Sequence, residues 1–312
     1  MKKIGIVSCD NWIGKIKEDI NLCNMLKLMG VDAKIISWQQ PLTEDFDSLI
    51  LRSVWGYQDD YLNFKKWLLN IKKRGINLFN NPDIILANIL KDKQFEILQK
   101  NNIPCIKTQY LDSFSFCYDD LRQIVKTSFN SCITVIKPTI SGSGNNTFVI
   151  NPTEEHIDLP NIITVSEAIE IFGNLLNENP ECKVMLQPYM PEINLGEYSC
   201  VFIDGILTHT MMRFPNVFHG KKRTCLVSDV PLEILNLAQT IEKITSFQGY
   251  LYMRVDMILS NGNAKIMEVE LAEPDLLTKY IEDKNKQSDV IKTLARRLER
   301  RTMKKWKHVK SF

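Results

Sequence analysis

The chain alternates between segments in which every second residue is apolar and segments in which apolar residues recur three or four positions apart. The first pattern predicts strands and the second predicts helices. In the N-terminal part these are strand 3–9, helix 15–29, strand 33–38, strand 48–54 and helix 62–73. Strands separated by helices at this spacing indicate a small parallel α/β module, which we expect to end near Pro82.

Beyond Pro82 the pattern changes, because hairpins begin to replace the strand–helix alternation. The predicted elements are helix 83–100, helix 118–129, strand 133–138, strand 147–150, helix 166–177, strand 184–187, a hairpin over 197–213, helix 232–245, a second hairpin over 252–270 and a C-terminal helix. The predicted fold class is therefore mixed α/β, with a parallel N-terminal sheet and a mainly antiparallel C-terminal one.

The hairpin over 252–270 carries alternating carboxylates on otherwise apolar strands. Asn261-Gly262 is a strong signal for a tight turn. Glu268 and Glu270 lie two residues apart and therefore share a face, and antiparallel pairing brings Asp256 beside them. Three clustered carboxylates repel one another unless a cation neutralises them, and hard oxygen ligands suit Mg²⁺. The alternative is a solvated acidic face.

A second candidate feature is the Ser141-Gly142-Ser143-Gly144 turn that follows the strand 133–138. Its backbone N–H groups can approach a phosphate closely, since two of its residues lack Cβ. Lys137 ends the preceding strand and can reach the same space, and Lys93 is a helical lysine after Pro82. Taken singly, each is equally well explained as an ordinary turn or a surface lysine.

Composition and charge narrow the class of protein. The chain has 312 residues, enough for two or three modules, with 44% hydrophobic and 24% charged residues. The apolar runs are shorter than the roughly 18 residues that span a bilayer, and the N-terminus leads directly into a strand, so we expect a cytoplasmic protein without a membrane partner. The eight cysteines are scattered singly, which does not suggest a zinc site.

The formal net charge is +2, but basic residues are concentrated at the C-terminus, which from Lys292 onward holds nine Lys and Arg and one acid, Glu299. Such a tail could contact nucleic acid or an anionic membrane. We favour a solvated helix end instead, because basic residues there complement the helix dipole. Nucleic acid is therefore not an expected partner.

The order of these motifs along nearly the whole chain resembles the ATP-grasp superfamily, and within it the glutathione-synthetase-like ligases. The residues that carry the resemblance are Lys93, Val135-Ile136-Lys137-Pro138, Ser141-Gly142-Ser143-Gly144, Gln187-Pro188-Tyr189-Met190, Gly196-Glu197, Arg213, Arg254-Val255-Asp256, Glu268-Val269-Glu270 and Pro274. A closer likeness is to ligases of the O-ureido-serine cyclo-ligase type from cycloserine biosynthesis. It rests on segments 51–57, 80–82, 187–191 and 267–274.

The resemblance implies an ATP-grasp fold, which we divide into an N-terminal pre-ATP-grasp domain (1–85), a lid and linker subdomain (86–186) and a C-terminal metal-binding subdomain with the basic tail (187–312). It also implies roles for particular residues. Lys93 and Lys137 would hold the ATP phosphates beneath the 141–144 turn, which we expect to act as a lid. Gln187, Tyr189 and Met190 would surround the adenine, and Glu197 would bind the ribose.

For the metal, the resemblance implies two Mg²⁺ ions on Asp256, Glu268 and Glu270, with Mn²⁺ able to substitute. Many ATP-grasp enzymes carry Asn where Glu270 stands, so this chain has one additional negative charge there. Arg213 would lie beside the transferred phosphoryl group. Arg52 would bind the carboxylate of the acceptor, because a guanidinium binds carboxylate through two parallel hydrogen bonds; the alternative is a surface ion pair.

The implied activity is that of an ADP-forming ligase, which joins a carboxylate to an amine through an acyl phosphate and could close a ring. The acceptor would be a small carboxylate or amino acid, and a homodimer is the oligomer to test. Two alternatives remain open from the sequence: a phosphotransferase that leaves the phosphate on its product, and a nucleotide-binding regulatory protein without catalysis.

Overall fold

A computed structural model of the chain describes residues 1–112, 117–129, 133–142, 144–151, 159–214 and 223–302. Its strands are β1 Lys3–Ser8, β2 Asp32–Ser37, β3 Ser48–Leu51, β4 Asn77–Phe79, β5 Gln109–Leu111, β6 Thr134–Pro138, β7 Phe148–Ile150, β8 Ile162–Ile163, β9 Val184–Pro188, β10 Glu197–Ile203, β11 Ile206–Phe214, β12 Arg223–Leu226, β13 Tyr252–Ser260 and β14 Asn263–Glu270. Its helices are α1 Lys17–Leu28, α2 Tyr61–Lys73, α3 Pro82–Ile89, α4 Lys91–Lys100, α5 Tyr118–Ser128, α6 Val165–Glu178, α7 Leu232–Glu242 and α8 Lys284–Thr302.

The N-terminal module is a parallel sheet with strand order β2-β1-β3-β4. Helix α1 buries Leu22 and Leu26 against this sheet. On the other side, α2 buries Phe64 and Leu68 in the core that joins this module to the middle sheet. The predicted parallel module is confirmed, whereas the three-residue strand β4 was not predicted because it is too short to show periodicity.

The middle sheet has strand order β5-β9-β6-β7-β8 and is mixed, since β7 and β8 run parallel and the other pairs are antiparallel. Helix α6 starts with a capping box, in which Thr164 and Glu167 each accept a hydrogen bond from the other's backbone. The helix buries Phe172 and Leu176 in the core shared with the N-terminal module. The glycine-containing turn after β6 lies where the middle sheet meets the N-terminal module, since Gly142 approaches Gln58 closely.

The C-terminal sheet is antiparallel with order β12-β11-β10-β13-β14. The turn between β13 and β14 has two residues, Asn261 and Gly262, with φ of 51° and 74°. Positive φ at both positions is the conformation that gives a hairpin the right-handed twist of its strands, and it explains why Asn-Gly predicted this turn. Helix α8 packs Leu294 and Leu298 in one core with α1, which connects the end of the chain to its beginning.

The predicted helix 83–100 is two helices rather than one. Leu90 is extended, with φ of −80° and ψ of 97°, and α3 ends before it while α4 begins after it. The N–H of Lys91 donates to the carbonyl of Thr139 at 3.2 Å, so the break docks the start of α4 onto the residue after β6. Apolar spacing continues across Leu90, and for that reason periodicity alone did not reveal the break.

The basic C-terminal helix uses several of its charges within the molecule. Arg297 donates to Asp204 at 2.8 Å, Arg301 also pairs with Asp204, and Lys2 donates to Glu299 at 2.5 Å. The remainder of the predicted basic tail, from residue 303 onward, lies outside the described residues. Across the described part of the chain, none of the helices has the length and apolar character required to cross a membrane.

Candidate active site

The acidic hairpin forms the centre of the candidate site. Asp256 on β13 is paired directly with Glu268 on β14, and Glu270 follows two residues later on the same face. The side-chain oxygens of these three residues lie within 4.8 Å of one another. Asp256 is 1% exposed, and the side chains of Glu268 and Glu270 are 30% and 24% exposed, so the cluster is partly buried rather than spread over a fully solvated face. The predicted clustering is confirmed.

Two arginines neutralise part of this charge. Arg254 shares its strand face with Asp256 and donates to it at 2.9 Å, and it also forms an ion pair with Glu270. Arg213 on β11 lies 2.7 Å from Asp256 and 2.7 Å from Glu197. Burial by itself raises the pKa of Asp256, but the guanidinium groups of Arg213 and Arg254 outweigh that effect and hold the pKa below its ordinary value, at about 2. Asp256 is therefore ionised throughout the physiological range.

Two lysines approach the cluster from the opposite side. Lys91 at the start of α4 lies 3.0 Å from Glu268, although its side chain is only 8% exposed. Lys137 on β6 faces the same carboxylate: burial lowers the pKa of Lys137, and the negative charge of Glu268 opposes that shift. Within the described residues Lys137 makes no ion pair. Its ammonium lies close enough to Glu268, Lys91 and Glu197 to interact with their charges.

The structure does not bring Lys93 to this cluster. Its side chain is 53% exposed, and its ammonium pairs with Glu96 at 3.3 Å on the outer face of α4. Lys91, two residues earlier, occupies the position that was predicted for Lys93. The difference follows from the break at Leu90, because a helix that restarts at Lys91 turns Lys91 inward and Lys93 outward.

The residues predicted around the nucleotide base lie at the end of β9. Gln187 is 3% exposed, and its amide donates to the hydroxyl of Thr108 at 2.9 Å. The N–H of Tyr189 donates to the carbonyl of Ile133 at 3.1 Å, and Met190 follows as a half-buried residue. Glu197 begins β10 opposite Arg213, and burial raises the pKa of Glu197 to about 7 although Arg213 lowers it.

The glycine-containing turn contacts α4, its own strand β6 and the N-terminal module. Lys91 donates to the carbonyl of Ser141 at 2.7 Å, and the hydroxyl of Ser141 donates to the carbonyl of Pro138 at 3.1 Å. Gly142 lies so close to Gln58 that an added Cβ would come within 2.2 Å of its amide nitrogen. Gly144 has a φ of +75°, which favours glycine. Ser143 lies outside the described residues.

Arg52 has buried partners of its own and is not available as predicted. Its guanidinium is 4% exposed and donates to Glu18 at 3.0 Å, to Asp19 at 3.3 Å and to the carbonyl of Pro274 at 3.1 Å. All three nitrogens of the guanidinium therefore already donate to protein oxygens. Arg52 is neither an open anchor for the substrate nor a surface ion pair, the two possibilities considered from the sequence. Arg52 instead connects the N-terminal module to the segment after the acidic hairpin.

The sequence did not indicate Lys91 as a site residue. Arg254 and Glu273 lie in segments that carry the resemblance but were given no role, and Tyr57 was considered only as a residue that could line the acceptor pocket or simply pack. Arg254 could have been found by the same period of two that grouped the carboxylates, because it is two residues before Asp256. Tyr57 and Glu273 interact with each other although they are more than 200 positions apart in the sequence, and neither lies in a periodic pattern that would have indicated this.

Comparisons with known proteins agree with this architecture. A family model described as the N-terminal domain of D-cycloserine synthetase DcsG matches residues 4–80. Among curated protein sequences, none matches the chain.

Solved structures of ligases are similar to it over almost its whole length. The crystal structure of D-cycloserine synthetase DcsG has a TM-score of 0.80 at 17% identity and covers 96% of this chain and 99% of that one. D-alanine–D-alanine ligase from Bacillus anthracis, complexed with ATP, has a TM-score of 0.63 at 16% identity, covering 97% and 98%. The ATP-grasp ligase PsnB, complexed with a minimal precursor, Mg and ADP, has a TM-score of 0.59 at 13% identity, covering 94% and 97%.

These similarities define the class of fold. The chain has the ATP-grasp fold. Its parallel N-terminal module and antiparallel C-terminal sheet were expected, and the five-stranded mixed sheet lies in the part predicted as a lid and linker. More particularly, its N-terminal module is similar to the corresponding domain of D-cycloserine synthetase.

Proposed function

We propose that this protein is an ATP-dependent ligase that joins a carboxylate to an amine through an acyl phosphate, releasing ADP. One observation carries the proposal: Lys91, at the start of α4, and Lys137, on the middle sheet, lie near the cluster of Asp256, Glu268 and Glu270 on the C-terminal sheet. Lysines opposite clustered carboxylates suit a polyphosphate bound together with divalent metal ions. The lysines neutralise the phosphates, and the metal ions neutralise both the phosphates and the carboxylates.

The donor set fits a divalent cation. Carboxylate oxygens are hard ligands, and three of them within 4.8 Å can meet around one or two ions. The additional charge of Glu270 is also accommodated, since Arg254 forms an ion pair with it. Bound Mg²⁺ would neutralise the charge of the transferred phosphoryl group. We propose two Mg²⁺ ions on these residues, with Mn²⁺ able to substitute.

The other residues of the chain have roles that follow from their positions. Lys91, in place of Lys93, and Lys137 would bind the phosphates as point charges. Arg213, with its Nε buried and without a hydrogen-bond partner in the described residues, would orient the transferred group. The backbone at Gln187, Tyr189 and Met190 would receive the adenine, and Glu197 the ribose. The turn at 141–144 would shield the acyl phosphate from water.

We further propose a small, amino-acid-derived acceptor, a cytoplasmic location and a homodimer, with domain boundaries after residues 85 and 186. The match of residues 4–80 to the N-terminal domain of D-cycloserine synthetase supports this class of acceptor, because that module forms one wall of the candidate site.

The experiment that tests the function is release of ADP and phosphate from Mg-ATP across a panel of amino acids, O-ureido-serine and small peptides, with mass spectrometry of the products. A ligase releases both in an acceptor-dependent manner, and its product has lost one water. Loss of water from a single substrate molecule would show ring closure. A product that gains a phosphoryl group would identify a phosphotransferase instead. Binding of Mg-ATP without acceptor-dependent release from any compound would favour a regulatory protein.

A further inference from the structure

Glu273 is an exception among the buried acids of this protein. Five acidic residues in the described part of the chain are buried, namely Glu18, Asp19, Asp92, Asp256 and Glu273. Each of the first four has a lysine or arginine nitrogen within 3.3 Å. Glu273 is 9% exposed and, within the described residues, has no ion pair at 4.0 Å or closer. A buried carboxylate without a cation is costly, so its retention requires an explanation.

The surroundings of Glu273 place it on the inner wall of the candidate active site. It follows Glu270 by three residues, and it is close enough to Glu268, Arg254 and Lys91 to interact with their charges. Its neighbour from the N-terminal module is the hydroxyl of Tyr57, which is neutral. Because no cation is paired with it, burial raises the pKa of Glu273 to about 7.

Tyr57 is packed into the core of the N-terminal module in this position. It is 5% exposed, and its ring stacks on Phe64 of α2 at 4.9 Å between centroids. A carboxylate beside a tyrosine hydroxyl is a combination that binds an ammonium ion through charge-assisted hydrogen bonds.

We propose that Glu273, together with the Tyr57 hydroxyl, binds the ammonium group of an amino-acid-like acceptor. This inference rests on the proposed ligase function and specifies its substrate class: the acceptor carries a free amine close to the carboxylate that is activated. The ammonium supplies the cation that Glu273 otherwise lacks. Glu273 is thus a specificity-determining residue, distinct from the three carboxylates assigned to the metal.

The test compares amino compounds with their desamino counterparts, using serine against 3-hydroxypropanoate, alanine against propanoate, and O-ureido-serine against its desamino analogue. Three variants are compared with the wild type. Glu273→Gln removes the charge and keeps the shape, Tyr57→Phe removes only the hydroxyl, and Glu282→Gln removes an exposed acid as a matched control. The readouts are KM and kcat for acceptor-dependent ADP release, the dissociation constant of Mg-ATP, and the thermal midpoint with each compound.

The wild type should prefer the amino member of each pair. Glu273→Gln should raise the KM of that member about 10- to 100-fold, as expected for loss of a charge-assisted hydrogen bond, and that of the desamino member by less than about two-fold. Tyr57→Phe should have a smaller effect in the same direction, and Glu282→Gln none. The affinity for Mg-ATP should not change in either variant. The thermal midpoint of Glu273→Gln without ligand should not fall, because this variant removes a buried charge that has no paired cation.

Several results would overturn the inference. The first is equal use of amino and desamino acids by the wild type. The second is an equal rise in KM for both kinds of acid in Glu273→Gln. The third is a Glu273→Gln variant whose main defect is a higher Mg²⁺ requirement, which would make Glu273 a metal ligand. If no compound stimulates ADP release, the function proposal fails, but the thermal midpoints still decide the inference. Amino compounds that stabilise the wild type and not Glu273→Gln would support it, and absence of stabilisation by any of them would refute it.

Discussion

Lys91 and Lys93 lie two residues apart on one helix, yet they occupy very different environments. Lys91 is 8% exposed and is bonded to Glu268 and to the carbonyl of Ser141, whereas Lys93 is 53% exposed and is bonded to Glu96. A buried ammonium beside clustered carboxylates can hold a metal-bound phosphate, which a lysine on the outer face of the helix cannot reach. The two residues therefore form a matched pair for testing the assignment of the phosphate-binding lysine.

Lys91→Ala should weaken binding of Mg-ATP about 10- to 100-fold, since a hydrogen bond to a charged group contributes roughly 1.5–3 kcal/mol. Lys93→Ala should bind Mg-ATP as the wild type does, because its ammonium is paired on the outer face of α4. Isothermal titration calorimetry with a non-hydrolysable ATP analogue measures both. If Lys93→Ala is the impaired variant, the assignment of Lys91 to the phosphates is wrong and the prediction from sequence is correct.

Glu268→Gln should raise the Mg²⁺ concentration required for turnover by about 100-fold or more, because even indirect partners of metal ligands typically affect metal affinity 10- to 100-fold. The variant should keep its fold, as judged by circular dichroism. Glu178→Gln, at an exposed position on α6, is the control and should leave the Mg²⁺ titration unchanged. Unaltered turnover of Glu268→Gln at limiting Mg²⁺ would exclude this residue as a metal ligand.

At the scale of elements, the strand that carries Glu268 and Glu270 is the edge of its sheet, and its outer side is capped by side chains. Gln94 of α4 donates to the carbonyl of Val269 at 2.6 Å and accepts from its N–H at 2.9 Å. Asn88 of α3 donates to the same carbonyl at 2.7 Å and accepts from the N–H of Leu271 at 2.8 Å. These amides imitate a neighbouring strand and fix β14 in place.

Gln94→Leu should lower the free energy of unfolding by about 1–3 kcal/mol, because it leaves the buried N–H of Val269 without a partner. It should also raise the Mg²⁺ requirement, since Glu268 and Glu270 flank that residue. Gln99→Leu, exposed on the same helix, should change neither quantity by more than a few tenths of a kcal/mol. Urea unfolding and a Mg²⁺ titration of turnover measure the two effects. An unaffected Gln94→Leu would mean that β14 does not depend on this cap.

The sequence predicted elements well where one local rule decides the structure, and poorly where distant segments meet. The turn at Asn261-Gly262 and the shared face of Glu268 and Glu270 follow from residue type and period alone. The amides of Asn88 and Gln94 give no such signal, because their partners lie on a strand about 175 residues away. The break at Leu90 belongs to the same group, since it depends on docking to Thr139.

At the scale of the whole molecule, Arg52 is the centre of a buried network between the N-terminal module and the segment that carries Glu273. Glu18, a partner of Arg52, also accepts from the N–H of Thr278 at 2.8 Å, and Ser53 donates to Asp19 at 2.5 Å. The guanidinium lies 5.2 Å from the ring of Tyr252. Arg52 is therefore better understood as a positioning residue, which holds the walls of the candidate site together.

Arg52→Met should lower the free energy of unfolding by about 3–5 kcal/mol, because it leaves two buried carboxylates without their cation. Arg74→Met is the control; its pair with Asp45 is long, at 3.6 Å, and exposed, so it should change stability by less than about 1 kcal/mol. Urea unfolding followed by fluorescence measures both. A fully stable Arg52→Met with a greatly raised acceptor KM would support the substrate-anchoring role that the sequence suggested.

The capped edge of β14 also limits how this protein can assemble. Besides Gln94 and Asn88, the segment 104–106 exchanges backbone hydrogen bonds with Ile266, at 2.9 and 3.4 Å. Exposed edges are where chains commonly join by adding a strand from another molecule, and here that route is closed by the protein's own side chains and backbone. A second copy, or an extended peptide, must therefore add its strand at another edge, so that the strand proposed to bind the metal is not extended by a neighbouring molecule.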